Sequence, residues 1–174
     1  MRLLIYSALA SFLFTFKAFA YEQLVLQYAG DIGKFSLGYG KDLTDYYRIS
    51  FHYGYVPANE LQNKIETYTI KNNFSLWSYD YQQYQYTFYT GAALFHVPGN
   101  KYKTHEYSST PDNYYRQSSI RGLVYIGHEM AYNKTNSIYL ESGINDVWLI
   151  NAANNDSVDI QDHVSLALGY NYRF

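Results

Sequence analysis

The chain closes on Val164-Ser165-Leu166-Ala167-Leu168-Gly169-Tyr170-Asn171-Tyr172-Arg173-Phe174. Apolar or aromatic side chains take every second position: Val164, Leu166, Leu168, Tyr170, Tyr172 and Phe174. Ser165, Ala167, Gly169, Asn171 and Arg173 lie between them. A period of two is that of a β-strand with one apolar face. The same alternation recurs upstream. Phe35, Leu37 and Tyr39 alternate with Lys34, Ser36, Gly38 and Gly40. Tyr47, Ile49, Phe51, Tyr53 and Tyr55 alternate with Arg48, Ser50, His52 and Gly54. Tyr84, Tyr86, Phe88, Ala92 and Leu94 alternate with Gln83, Gln85, Thr87, Gly91 and Ala93.

Two architectures use such strands. In a soluble sandwich the apolar face fills a core and the polar face meets water. In a membrane barrel the apolar face meets lipid and the other lines a narrow lumen. A sandwich core is rich in Val, Ile and Leu. Here the apolar faces carry large tyrosines, part of a total of 23 in 174 residues. Tyrosine has an apolar ring and a polar tip, which suits a surface at once greasy and wet. The opposite faces carry Gly, Ala, Ser and scattered charges, the set that fits a tight lumen. The reading is therefore an all-β fold, a single antiparallel transmembrane barrel of about eight strands. The strands are expected at 22–29, 33–41, 46–56, 63–77, 83–96, 118–132, 136–146 and 162–174. Links 30–32, 57–62, 97–117 and 147–161 would face outward, and links 42–45, 78–82 and 133–135 the periplasm. The two longest links fall on the outer side, as such barrels require.

The N-terminus supplies the route. Arg2 is followed by a nearly unbroken apolar run from Leu3 to Phe16, then by Ala18-Phe19-Ala20. A positive start, a short apolar stretch and a small-x-small site form a secretory signal peptide. Cleavage is expected after Ala20, leaving 21–174 as the barrel; an uncleaved anchor is the alternative. No later apolar run is long enough for a membrane helix. The net charge is -2, which disfavours a nucleic-acid partner. Cysteine is absent, which removes disulfides, thiol catalysis and zinc–thiolate sites.

Tyr170-Asn171-Tyr172-Arg173-Phe174 resembles the C-terminal signature of bacterial outer-membrane proteins, with alternate aromatic positions and a final Phe. The resemblance implies an outer-membrane location and recognition of Tyr170, Tyr172 and Phe174 by the barrel-assembly machinery. Over the barrel region the plan resembles the small eight-stranded barrels of the OmpA transmembrane-domain and OmpX type.

Candidate chemistry divides by face. Lys34, Arg48, His52, Lys71, Arg121, Glu129, Glu141 and Arg173 fall on expected lumen faces, with Glu129 and Glu141 placed to meet Arg121 or Arg48. Buried charges must pair. Such a set forms either a salt-bridge network that closes the lumen or a narrow path for protons or ions. The network is favoured, because eight strands enclose room for little more than side chains. Lipid A deacylase barrels resemble this chain in size and strand number and use a His-x-Ser-Asn motif with a downstream Glu, facing lipid. That motif is absent here; Ser50-Phe51-His52 has the pair reversed and on the lumen face. A palmitoyltransferase-type barrel would have an amphipathic helix before its first strand, and none precedes this one. If the chain is an enzyme, Ser50, His52, Glu129 and Glu141 are its only candidate groups. No histidine pair has metal-ligand spacing, and no cofactor is expected. The long outer link places Tyr102, Tyr107, Tyr114, Tyr115 and Arg116 together, a composition common in recognition surfaces. The expected role is non-catalytic: structural, or contact with a protein partner through the outer links or barrel wall. Outer-membrane lipid and lipopolysaccharide would surround it. Deacylase-like chemistry and a narrow channel stand as alternatives.

Overall fold

The computed structural model describes residues 21–58, 64–98, 120–146, 149 and 164–174. They form eight antiparallel strands closed into a barrel. These are β1 (Glu22–Ala29), β2 (Phe35–Thr44), β3 (Tyr47–Val56), β4 (Ile65–Tyr81), β5 (Tyr84–His96), β6 (Ile120–Tyr132), β7 (Asn136–Asn145) and β8 (Ser165–Arg173). Each strand pairs with its sequence neighbours, and β8 returns to β1 with Tyr172 opposite Leu24. Closure pairs every strand with two neighbours, which removes most of the free sheet edge that is the usual liability of a β protein.

Strand number and order follow the alternation. The largest departure is β4, which runs on to Tyr81 through 78–82, a stretch expected to be a link. β2 likewise continues to Thr44, carrying Asp42 into the sheet. The start of β1 and the end of β8 lie at the same end of the barrel as three tight turns, at 45–46, 82–83 and 133–135. Gln82, Asn133 and Lys134 take positive φ in these turns, where the mirror-image turns of hairpins require it. The other three links leave from the opposite end, with the 30–34 turn. The signal segment, the link tyrosines at 102, 107, 114 and 115 and Arg116 lie outside the described residues.

The barrel is inside-out. Leu24, Leu26, Leu37, Ile70, Val124, Ile126, Leu140 and Leu168 form an exposed middle band. Aromatic pairs flank it on both sides. Tyr28 with Phe35 and Tyr53 with Tyr68 lie toward the loop end, at 5.4 and 5.6 Å between ring centroids. Tyr47 with Phe74, Tyr84 with Tyr132, and Tyr172 with Phe174 lie toward the termini end. Glycines and small polar residues take the inner positions, where three tyrosines also lie. Tyr125, Tyr89 and Tyr139 stand directly opposite Gly91, Gly127 and Gly169 on the neighbouring strand. Each ring occupies the space that a Cβ on its glycine would need. This is how an eight-stranded lumen accepts large side chains.

Candidate functional site

Sequence parity points one candidate set into the lumen, and the structure stacks it in three layers. The layer nearest the termini is a closed ring of alternating charge. Arg48 on β3 donates through Nε to Asp42 Oδ1 on β2 (2.7 Å) and through Nη1 to Glu129 Oε2 on β6 (2.8 Å). Arg173 on β8 donates to the other oxygen of Glu129, and its Nε lies 3.5 Å from Asp42 Oδ2. Both carboxylates therefore face both arginines. Glu129 is buried and Arg48, Arg173 and Asp42 nearly so, which makes each partner indispensable to the others.

The middle layer is built on one ion pair between β4 and β7. Lys71 Nζ donates to Glu141 Oε2 and to Gln27 Oε1 (3.2 Å). Tyr89 donates to Glu141 Oε1 (2.9 Å), and Tyr139 to Gln27 Oε1 (3.0 Å). The ammonium also lies 4.6 Å from the centre of the Tyr125 ring. Beside this group Ser50 Oγ and His52 Nε2 are 2.8 Å apart, both residues buried. The two layers hold three cations and three carboxylates, so their formal charges cancel. A cavity of about 10 Å³ remains between Ser50, His52, Lys71 and Glu141, about the space of one water.

The third layer is an apolar cap at the loop end. The 30–34 turn folds inward, and Ile32 is buried against a cluster that includes Phe95, Val97 and Leu123. Its carbonyl accepts from Thr67 Oγ1 directly above Gly54. Gly30 and Gly33 have φ of 86° and 135°, values that suit glycine. Asp31 fixes the turn to β7 and β8. It accepts from Ser165 Oγ (2.9 Å) and Asn145 Nδ2 (3.3 Å). Burial pushes the Asp31 carboxyl above its ordinary value of 3.8, and these two hydrogen bonds offset only part of that. A raised carboxyl pKa favours the docked turn in acid, and the gain is lost as pH rises through the shifted value. The protection of the 30–34 amides, taken relative to their intrinsic exchange at each pH, should therefore fall from about pH 3.8 upward, and Asp31→Asn should remove that fall.

Most of the sequence candidates meet here. Arg48, His52, Lys71, Glu129, Glu141 and Arg173 are in the lumen as expected. Lys34 is the correction: it lies in the turn before β2, exposed, with Nζ 5.8 Å from the centre of the Phe35 ring. The strand begins one residue later, so the parity of β2 never reaches it. Glu129 pairs with Arg48 as expected, but Glu141 pairs with Lys71. Arg121 sits toward the loop end of β6, away from both. Asp42, Tyr89, Tyr125 and Tyr139 were not among the candidates, although each shares the parity of an inward neighbour. His96 and His128 are on the outer face. His128 Nδ1 is hydrogen-bonded to the Tyr86 hydroxyl, and its ring lies tilted 4.9 Å from that of Phe88. Among the described residues no three His, Asp or Glu side chains gather as a metal would need.

No family model matches the sequence, and no curated protein matches it. Solved structures do. The outer-membrane enzyme PagL superposes with a TM-score of 0.51 at 10% identity, over 88% of this chain and 98% of that one. The N-terminal β-barrel domain of Pseudomonas aeruginosa OprF gives 0.44 at 9% identity, over 89% and 96%. At such identities the likeness is one of fold. Eight antiparallel strands closed in sequence order, apolar outside and charged within, give this chain the fold of the small outer-membrane β-barrels.

Proposed function

We propose that the chain is an integral protein of the bacterial outer membrane, exported through the segment ending at Ala20, with a structural or surface-contact role and no catalysis. The observation that carries this reading is the closed lumen. Every described charge of the two inner layers is matched, and Ile32 caps the loop end. Such an interior supports neither a continuous aqueous path nor substrate entry. The exposed middle band and its flanking rings suit a bilayer with headgroups on either side. In water the same surface would be a large aggregating patch.

The deacylase-like alternative gains little from the geometry. Ser50 and His52 do touch, but inside the barrel, on the side away from any acyl chain. Of the two outward histidines among the described residues, His128 is held by a tyrosine hydroxyl and not by a serine. Contact with other molecules then falls to the outer links, chiefly 97–117, and to the wall.

The test has two readouts on the purified full chain and on cells that express it. In planar bilayers the protein should insert without stepwise conductance. Lipid A extracted from the cells should keep its mass spectrum. Sustained current steps would replace this reading with the channel. Loss of an acyl chain that depends on Ser50 and His52 would replace it with the enzyme.

A further inference from the structure

The β4–β5 hairpin outruns the wall beside it. β4 extends to Tyr81, yet its last residue paired with β3 is Phe74, opposite Tyr47. One further bond, from Ser75 N–H to the Tyr46 carbonyl (2.8 Å), ties it to the β2–β3 turn. Beyond it Leu76 bulges out of register, and Trp77 to Tyr81 pair, among the described residues, with β5 alone; all six residues from Leu76 to Tyr81 are exposed. β5 is flanked on both sides as far as Tyr84, by Tyr81 and by Tyr132. The open edge therefore belongs to β4.

The two faces of this edge differ. Trp77, Tyr79 and Tyr81 continue the outer wall, with Trp77 and Tyr79 stacked at 6.1 Å. Ser78 and Asp80 lie on the inner side and are held from β5 by Thr87 (3.1 Å) and Gln85 (2.8 Å). A strand edge offers N–H and C=O groups in a row, which only another extended chain satisfies in register.

We propose that residues 76–81 are a docking edge for an extended segment of a different polypeptide at the termini end of the barrel. That segment would be apolar at alternate positions, extending the row of Trp77, Tyr79 and Tyr81, and polar on the side of Ser78 and Asp80. A second copy does not fit in the same bilayer. Antiparallel pairing of two identical edges needs a two-fold axis perpendicular to the sheet, which would invert one barrel in the membrane. Parallel pairing needs an axis along the strand. Strands of such barrels tilt by roughly 35–45°, so the two barrel axes would cross. This exclusion rests on the membrane placement proposed above, whereas the edge itself does not.

The experiment uses the full chain in phosphatidylcholine nanodiscs and follows amide exchange at 76–81. The probe is an octapeptide of alternating valine and threonine with lysine ends. Its control is the same peptide N-methylated at every second residue. Alone, those 76–81 amides that point away from β5 should exchange fast. The unmethylated peptide should slow them by about tenfold, the control should not, and Lys71, paired on both sides, should not change. Ser78→Lys, an edge lysine that repels pairing, should abolish the protection while the folded barrel keeps its mobility shift on heating. Absent protection, equal protection by both peptides, or slow exchange without peptide would overturn the proposal. Slow exchange that grows with protein concentration would identify a second copy as the occupant. A chain that fails to enter nanodiscs but is protected by the peptide in detergent would sink the membrane reading and leave the edge standing.

Discussion

Replacing Glu129 by Gln should cost about 3–5 kcal/mol of stability, the penalty of stranding a buried charge. The amide keeps the shape of the carboxylate but leaves Arg48 and Arg173 with Asp42 as their only acid in the ring. Urea unfolding in phospholipid vesicles, read by mobility on unboiled gels, measures the loss. The double variant Glu129→Gln with Arg173→Met should recover part of it, because it removes the cation that the first change stranded. A loss below about 1 kcal/mol, the worth of a solvated surface pair, would mean that water reaches the ring. The closed-lumen reading would then fail.

Gly54→Ala should undo the cap. The added methyl would overlap the Ile32 carbonyl and Thr67 Oγ1, and a backbone oxygen cannot rotate away as a side chain can. The 30–34 turn must lift, which exposes Ile32 and costs about 1.5–3 kcal/mol of its burial. Amide exchange across the turn should rise, and the unfolding midpoint should fall. Gly122→Ala on β6 is the control. Its new Cβ meets only Asp146 Cβ at 3.7 Å, an ordinary contact, so it should be close to neutral. Equal effects at the two positions would show that Gly54 matters as flexible backbone and not as a seat for the turn.

How much of this was legible in the sequence depends on period and range. Inward and outward sets follow from parity alone, so six of the eight expected lumen charges sit in the polar layers. Parity fails at strand ends. Lys34 falls outside because β2 starts at Phe35, and Asp42 falls inside because β2 runs on to Thr44. Pairing was less legible than facing. Glu129 and Glu141 are both inward on neighbouring strands, yet they choose arginines and a lysine respectively. Register and stagger across the barrel decide that choice, and no local pattern encodes it. The inward tyrosines were hidden by composition. In a chain whose outer wall is full of tyrosine, only the glycine directly opposite marks Tyr89, Tyr125 or Tyr139 as interior. The cap was hidden for another reason: Ile32 acts through a turn, where period-two reasoning says nothing.

The matched charges of the lumen also divide the molecule. Strands β1 to β4 contribute Arg48 and Lys71 against Asp42. Strands β5 to β8 contribute Glu129 and Glu141 against Arg173. Each half is thus electrically incomplete and of opposite sign to the other. The bonds from Arg48 to Glu129, Lys71 to Glu141 and Arg173 to Asp42 all cross between the halves. A chain severed in the exposed turn at Gln82 and Gln83 would leave two fragments, each carrying the other's counter-charges. The lumen therefore acts as an internal address that brings the N-terminal and C-terminal halves of one barrel to each other.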